Sequence, residues 1–179
     1  MKNLLFSLFS FSFLLFVSFT SAQSEKMEEQ QGLKTGMAAP NFTLHDAFGH
    51  SYKLSSYKGK MPVVVYFYPK AGTSGCTKEA CGIRDDWSQF KKNKVQVLGI
   101  SIDQKADIMK FVKDYNLNFP LLSDADKKVS KDYGVFNKKG FDNRITFIVD
   151  KKGKIAEIIN VKDIEGHASK VLEIASKLN

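Results

Sequence analysis

Cysteine is scarce in this chain: Cys76 and Cys81 are the two among 179 residues. The three histidines, His45, His50 and His167, have no ligand-like spacing. With so few thiols no metal centre is expected, no other cofactor is implied, and the histidines read as ordinary surface or hydrogen-bonded side chains. A long unbroken apolar run is missing too. The stretch Leu4–Phe19 is interrupted by four serines, and a bilayer-spanning helix needs roughly 20 predominantly apolar residues. With Lys2 before it and Thr20-Ser21-Ala22 after it, residues 1–22 read as a signal peptide cleaved after Ala22, an uncleaved anchor being the alternative. No cysteine lies near that point, which argues against a lipid anchor. The expected protein is exported, periplasmic or secreted, without stable membrane insertion after cleavage. Repeats and low-complexity segments are absent after residue 35. Removal of the leader leaves 157 residues, the size of one domain able to fold without staples.

Basic residues outnumber acidic ones, 27 to 19, for a formal charge of +8. The lysines are spread in small groups along the chain, so the excess reads as a solvated surface and no nucleic-acid partner is expected. Residues 23–36 are polar and unpatterned, a flexible tail, and the domain is expected over 37–179. Short alternations at Asn41–Leu44 and His50–Leu54 flank a turn at Gly49 and predict a β-hairpin. Val63–Tyr68 is a short apolar run rich in β-branched and aromatic residues, a buried strand. After Pro69 and small loop residues, apolar positions at Ala80, Ile83, Trp87 and Phe90 have helical spacing. A second buried strand is expected in Val95–Ile102, a helix in Asp103–Tyr115, an extended piece in Asn118–Leu122 and a short helix in Asp126–Tyr133. Ile145–Val149 and Ile155–Ile159 flank Asp150-Lys151-Lys152-Gly153 as a hairpin, and Glu165–Leu178 is an amphipathic helix. This order predicts a mixed α/β sandwich.

In such sheets sites gather beyond the carboxyl ends of the strands, where the loop Pro69–Gly75 is expected. Cys76 falls in the first turn of the following helix. A thiol there, beside cations, ionises far more readily than a free one. Thr73 can donate a hydroxyl hydrogen bond nearby, or serve as an ordinary helix cap. Cys81 can be a half-buried core thiol, a structural bridge partner in an oxidising compartment, or a second thiol that attacks once Cys76 is oxidised. As a staple the pair is poor, because so short a loop constrains the unfolded chain little. A redox role is preferred.

The run Pro69-Lys70-Ala71-Gly72-Thr73-Ser74-Gly75-Cys76 resembles the Pro-x-x-x-Thr-x-x-Cys site of the peroxiredoxins, the AhpC/TSA-like thiol peroxidases. Cys76-Thr77-Lys78-Glu79-Ala80-Cys81 is similar to the bacterioferritin-comigratory-protein, or peroxiredoxin Q, subgroup. The resemblance covers about Met37 to Leu178. It implies a thioredoxin-like fold, a peroxide substrate, a thioredoxin-like dithiol reductant, no cofactor and a monomer. By that likeness Cys76 is the peroxidatic thiol and Cys81 the resolving thiol, joined by an intramolecular disulfide. Thr73 holds the peroxide, Pro69 shields the pocket, Glu79 supports it from behind, and Arg144 stabilises thiolate and departing oxygen. Ser74 departs from the pattern, standing where a second proline is usual. Two other readings are an exported thiol-disulfide oxidoreductase and a non-catalytic thioredoxin-like binding module with a structural disulfide. The first typically has two residues between its cysteines, and here there are four.

Overall fold

A computed structural model of the chain describes residues 32–179. The expected signal peptide, its cleavage point and residues 23–31 of the expected tail lie outside the described residues. Strands are β1 (Thr43–Asp46), β2 (Ser51–Lys53), β3 (Val63–Phe67), β4 (Gln96–Ser101), β5 (Leu121–Ser123), β6 (Ile145–Val149) and β7 (Ile155–Asn160). Helices are α1 (Ser74–Asp85), α2 (Trp87–Lys92), α3 (Lys105–Asp114), α4 (Lys128–Asp132) and α5 (His167–Ser176), with a 3-10 turn at Leu54–Tyr57.

The strands form one sheet in the order β2-β1-β5-β4-β3-β6-β7. β3, β4 and β5 run parallel, joined by helical crossovers, whereas β3–β6, β6–β7, β1–β2 and β1–β5 are antiparallel pairs. This is the thioredoxin-like α/β arrangement with an N-terminal hairpin. All five residues of β3 are buried, as a strand covered on both faces requires. Their alternation divides the core. Val64, Tyr66 and Tyr68 pack with Ala80, Ile83, Phe90, Ile108, Phe111 and Val171 under α1, α2, α3 and α5. Val63, Val65 and Phe67 face the other way, with Leu98, Ile100, Val129, Tyr133 and Phe147. Gly99 on β4 is where the first layer needs space: a Cβ there would lie 2.6 Å from Tyr66 Cε1 and 2.5 Å from Leu121 Cδ2.

Beyond end shifts of one to three residues, two features differ from the sequence expectation. The helical spacing that ran from Ala80 to Phe90 belongs to two helices. At Asp86 the backbone turns (φ −86°, ψ 3°) and its N–H bonds back to Gly82 and Arg84 carbonyls. Ala80, Ile83 and Phe90 all enter the same core cluster, so the apolar pattern continues across a break that it does not register. Part of the expected tail is also packed: Leu33 lies against the second cluster, and Gly36 N–H donates to Ile155 O at 2.7 Å.

Candidate active site

The carboxyl end of β3 delivers the chain to Pro69, which is half-buried, and then to a turn at Lys70–Gly72. Gly72 takes φ +76°, a left-handed conformation that glycine adopts without a Cβ penalty. Asp103, just past β4, fastens this loop: its Oδ2 accepts from Ala71 N–H at 2.7 Å and from Ser101 Oγ at 2.9 Å, while its carbonyl accepts from Ser123 Oγ at 2.7 Å. Thr73 occupies the cap position of α1 with extended backbone but caps nothing with its side chain. Its exposed hydroxyl donates to Lys70 O at 3.0 Å, so the ordinary-cap reading is not what the structure shows.

Cys76 is the third residue of α1 and 2 % exposed. The N–H groups of a first helical turn have no intrahelical acceptor and carry the positive end of the helix dipole, and no acidic residue occupies that turn. Arg144, immediately before β6, reaches across so that its Nη2 lies 3.2 Å from Cys76 Sγ. Gly75 makes that approach possible, since a Cβ there would sit 3.3 Å from both Arg144 Nη2 and Ile164 Cδ1. Arg144 Nη1 donates to Glu79 Oε2, one turn below the cysteine and 1 % exposed. Behind Glu79 stands His167, the first residue of α5, with Nδ1 3.1 Å from Glu79 Oε1 and Nε2 2.9 Å from Thr146 Oγ1.

Burial pushes the Glu79 carboxyl up to about 7, although Arg144 pulls the other way. Burial, aided by the charge of Arg144, lowers His167 to about 4. For Arg144, burial works against the charge, but Glu79 and Cys76 outweigh it and the net shift is upward. The guanidinium therefore keeps a fixed cation beside sulfur with two donors committed in different directions. Cys81 lies on the same helix, half-buried, and both cysteines are free thiols.

The structure thus brings Cys76, Arg144 and Glu79 into contact and sets Cys81 further along α1. Thr73 and Pro69 lie in the loop leading into the same helix. Sequence reasoning passed over Asp103 and Thr146 and took His167 for an ordinary surface or hydrogen-bonded side chain; it is buried and hydrogen-bonded. Asp103 had a usable signal, its place directly after a parallel strand. The other two meet only through tertiary contact. No cluster of three or more His, Cys, Asp or Glu side chains able to hold a metal occurs among the described residues. A groove of about 330 Å³ lined by Leu54, Tyr57, Met61 and Val149 lies at the opposite end of β3 from Cys76.

The AhpC/TSA family model matches residues 35–158. Peroxiredoxin Q, chloroplastic, of Oryza sativa subsp. japonica is 45% identical over 148 residues, covering 80% of this chain and 67% of that protein. Peroxiredoxin Bcp of Escherichia coli (strain K12) is 42% identical over 147 residues, 78% of this chain and 94% of the relative. The crystal structure of peroxidoxin BcpB from Mycobacterium tuberculosis superposes with a TM-score of 0.75 at 34% identity, covering 82% of this chain and 99% of the other.

Proposed function

Because the chain belongs to the AhpC/TSA family, in its Bcp and peroxiredoxin Q subgroup, it is a thiol peroxidase, and we propose how its residues divide the work. Cys76 attacks hydrogen peroxide or an organic hydroperoxide. Its thiolate sulfur forms a bond to the terminal oxygen, the O–O bond breaks, and the departing oxygen takes up a proton as water or alcohol, leaving a sulfenic acid. Arg144 carries this reading: its Nη2 sits 3.2 Å from Cys76 Sγ, where it stabilises the thiolate and meets charge developing on the leaving oxygen without reorganising. Thr73 spends its own hydroxyl hydrogen on Lys70 O, which leaves its oxygen lone pairs to accept the peroxide O–H. Pro69 covers the sulfur and Glu79 holds Arg144.

Cys81 then condenses with the sulfenic acid, forming the Cys76–Cys81 disulfide and releasing water. A thioredoxin-type dithiol returns both cysteines to thiols by exchange and is itself oxidised to a disulfide. The working form is a monomer. Residues 1–22 act as a signal peptide: the segment has an apolar centre, one lysine and no arginine, unlike an arginine-rich organellar transit peptide. An exported protein whose intact mass begins at Gln23 supports this, and a full-length membrane-bound species overturns it.

Single-turnover peroxide reduction by the reduced protein tests the central roles. Cys76→Ser is expected to consume no peroxide. Cys81→Ser is expected to consume about one equivalent and to leave a sulfenic acid that over-oxidises. Reversal of the two outcomes would exchange the roles of the cysteines.

A further inference from the structure

His167 has no part in the cycle above, yet it lies on a continuous chain of polar contacts that begins at the reactive sulfur. Cys76 Sγ lies 3.2 Å from Arg144 Nη2, Arg144 Nη1 meets Glu79 Oε2, Glu79 Oε1 lies 3.1 Å from His167 Nδ1, and His167 Nε2 lies 2.9 Å from Thr146 Oγ1. The last three residues are 1 %, 2 % and 0 % exposed. Glu79 Oε1 and His167 Nδ1 face each other at hydrogen-bonding distance but short of hydrogen-bond alignment, and neither has another partner. Two buried polar atoms in that position are costly unless they serve each other.

The proton count narrows the arrangement. A neutral imidazole carries one N–H. With that proton on Nε2 and Glu79 ionised, Thr146 accepts it and the bare Nδ1 is set against a carboxylate lone pair. With the proton on Nδ1, Thr146 Oγ1 donates to Nε2 and Nδ1–H donates to Glu79 Oε1, so every atom is served. A proton on Glu79 instead can point at Nδ1, but it removes the charge that holds Arg144.

We infer that His167 is a positioning residue for the peroxidase reaction: Thr146 fixes the tautomer whose Nδ1–H donates to Glu79 Oε1, and the ionised carboxylate held in this way keeps Arg144 turned toward Cys76 Sγ. The inference rests on the peroxidase reading. The low pKa of His167 agrees with a neutral ring, and the value near 7 for Glu79 puts its ionisation within working pH. The charged and titratable groups around Glu79 are Cys76 on its own helix, Tyr66 on β3 and Tyr68 just after it, Arg144 before β6 and His167 on α5. The charges of Lys170 and Asp163 also act on the ring. Both tyrosines are held protonated by burial, which leaves Glu79 as the group whose proton the ring controls.

The test compares two amides of equal polarity in the full chain, by single-turnover reduction of hydrogen peroxide between about pH 5.5 and 9. An asparagine amide N–H reaches the place of Nδ1, whereas a glutamine amide reaches toward that of Nε2. His167→Gln removes the donor to Glu79, so the carboxylate is less stabilised and its pKa rises. The acid limb of the rate profile should then move up by about one pH unit, giving roughly tenfold slower attack below pH 7 and convergence with wild type near pH 9. His167→Asn should keep most of the wild-type profile. Thr146→Val, which unfixes the tautomer, should move the limb in the same direction by less, and it carries the test if His167→Gln does not fold. Equal profiles for the asparagine and glutamine variants, or a loss by one factor at every pH, would show a merely structural histidine. A wild-type protein that consumes no peroxide would overturn the peroxidase reading itself, whereas active wild type with unshifted variants sinks only the inference about His167.

Discussion

Arg144 links a reactive thiol to a buried carboxylate, and removing it has two separable consequences. Arg144→Ala takes the cation from Cys76 and leaves Glu79 without its partner, so peroxide attack should slow by on the order of a hundredfold. Breaking such a buried pair from one side typically costs about 3–5 kcal/mol. The stability loss has a sign in pH: Glu79, already raised to about 7, rises further without the guanidinium, so the variant loses more stability as pH increases. Arg144→Lys should recover part of the rate, because one ammonium cannot address sulfur and carboxylate with a planar fork. Stopped-flow peroxide reduction and urea unfolding at two pH values check both statements. Ser74 is a milder case. It is the first residue of α1, where proline is well accommodated. Ser74→Pro should therefore raise stability by about 0.4–1 kcal/mol through a less flexible unfolded chain, read as a higher thermal midpoint. At this scale the sequence was legible where chemistry is local. Cys76 and Thr73 draw notice from their place at one strand-loop-helix junction, whereas Pro69 and Glu79 took their roles from resemblance. Arg144 was reached only by resemblance, and His167 and Thr146 not at all, because a contact across many residues leaves no periodic trace.

Helix α1 carries both thiols, and its geometry forbids the bond they are proposed to make. Five residues of α-helix rise about 7.5 Å and rotate about 140°, which separates the two α-carbons by roughly 8.6 Å, whereas a disulfide needs them within about 6.8 Å. The segment between Cys76 and Cys81 must unwind after oxidation. Gly75 and Gly82 flank it, and Arg84 beyond it is tied by Nη1 to Tyr115 O at 2.8 Å, which keeps the far end anchored. Hydrogen exchange should be slower between Thr77 and Arg84 in the reduced protein than in the oxidised one, while Val63–Phe67 changes little. Equal protection, with the disulfide confirmed by mass spectrometry, would show that the mechanism does not pass through unwinding. The elements themselves were largely readable: β3, β4, β6 and β7 stand out as apolar runs, and the two hairpins by their turns. The break at Asp86 was hidden because both helices turn apolar residues into one cluster. The packed stretch Leu33–Gly36 was hidden because its ties are a backbone hydrogen bond and one leucine rather than a pattern.

For the whole molecule, the buried carboxyls set how stability responds to pH. Asp142 is fully buried and raised to about 7 by burial, with its Oδ2 3.0 Å from Ser130 Oγ. The Ser130 hydroxyl has one hydrogen to share between Asp142 Oδ2 and Asp124 Oδ2, the latter at 2.6 Å. A carboxyl whose folded pKa exceeds its unfolded value adds stability at low pH and loses it as pH rises through the folded pKa. Asp142→Asn should therefore become progressively more stable relative to wild type between about pH 5 and 8, and urea unfolding along that range measures it. His167 acts in the opposite sense: its folded pKa is depressed to about 4, so its contribution is present above the unfolded value and lost as pH falls. The variant-minus-wild-type difference isolates Asp142 from it. The placement of Cys81 on the same helix as Cys76 has a kinetic consequence at this scale. Closure of the proposed disulfide is a first-order event within one chain. Its half-time should not change when the protein is diluted a hundredfold, so a few scattered copies can complete the oxidative half of the cycle as fast as a crowd.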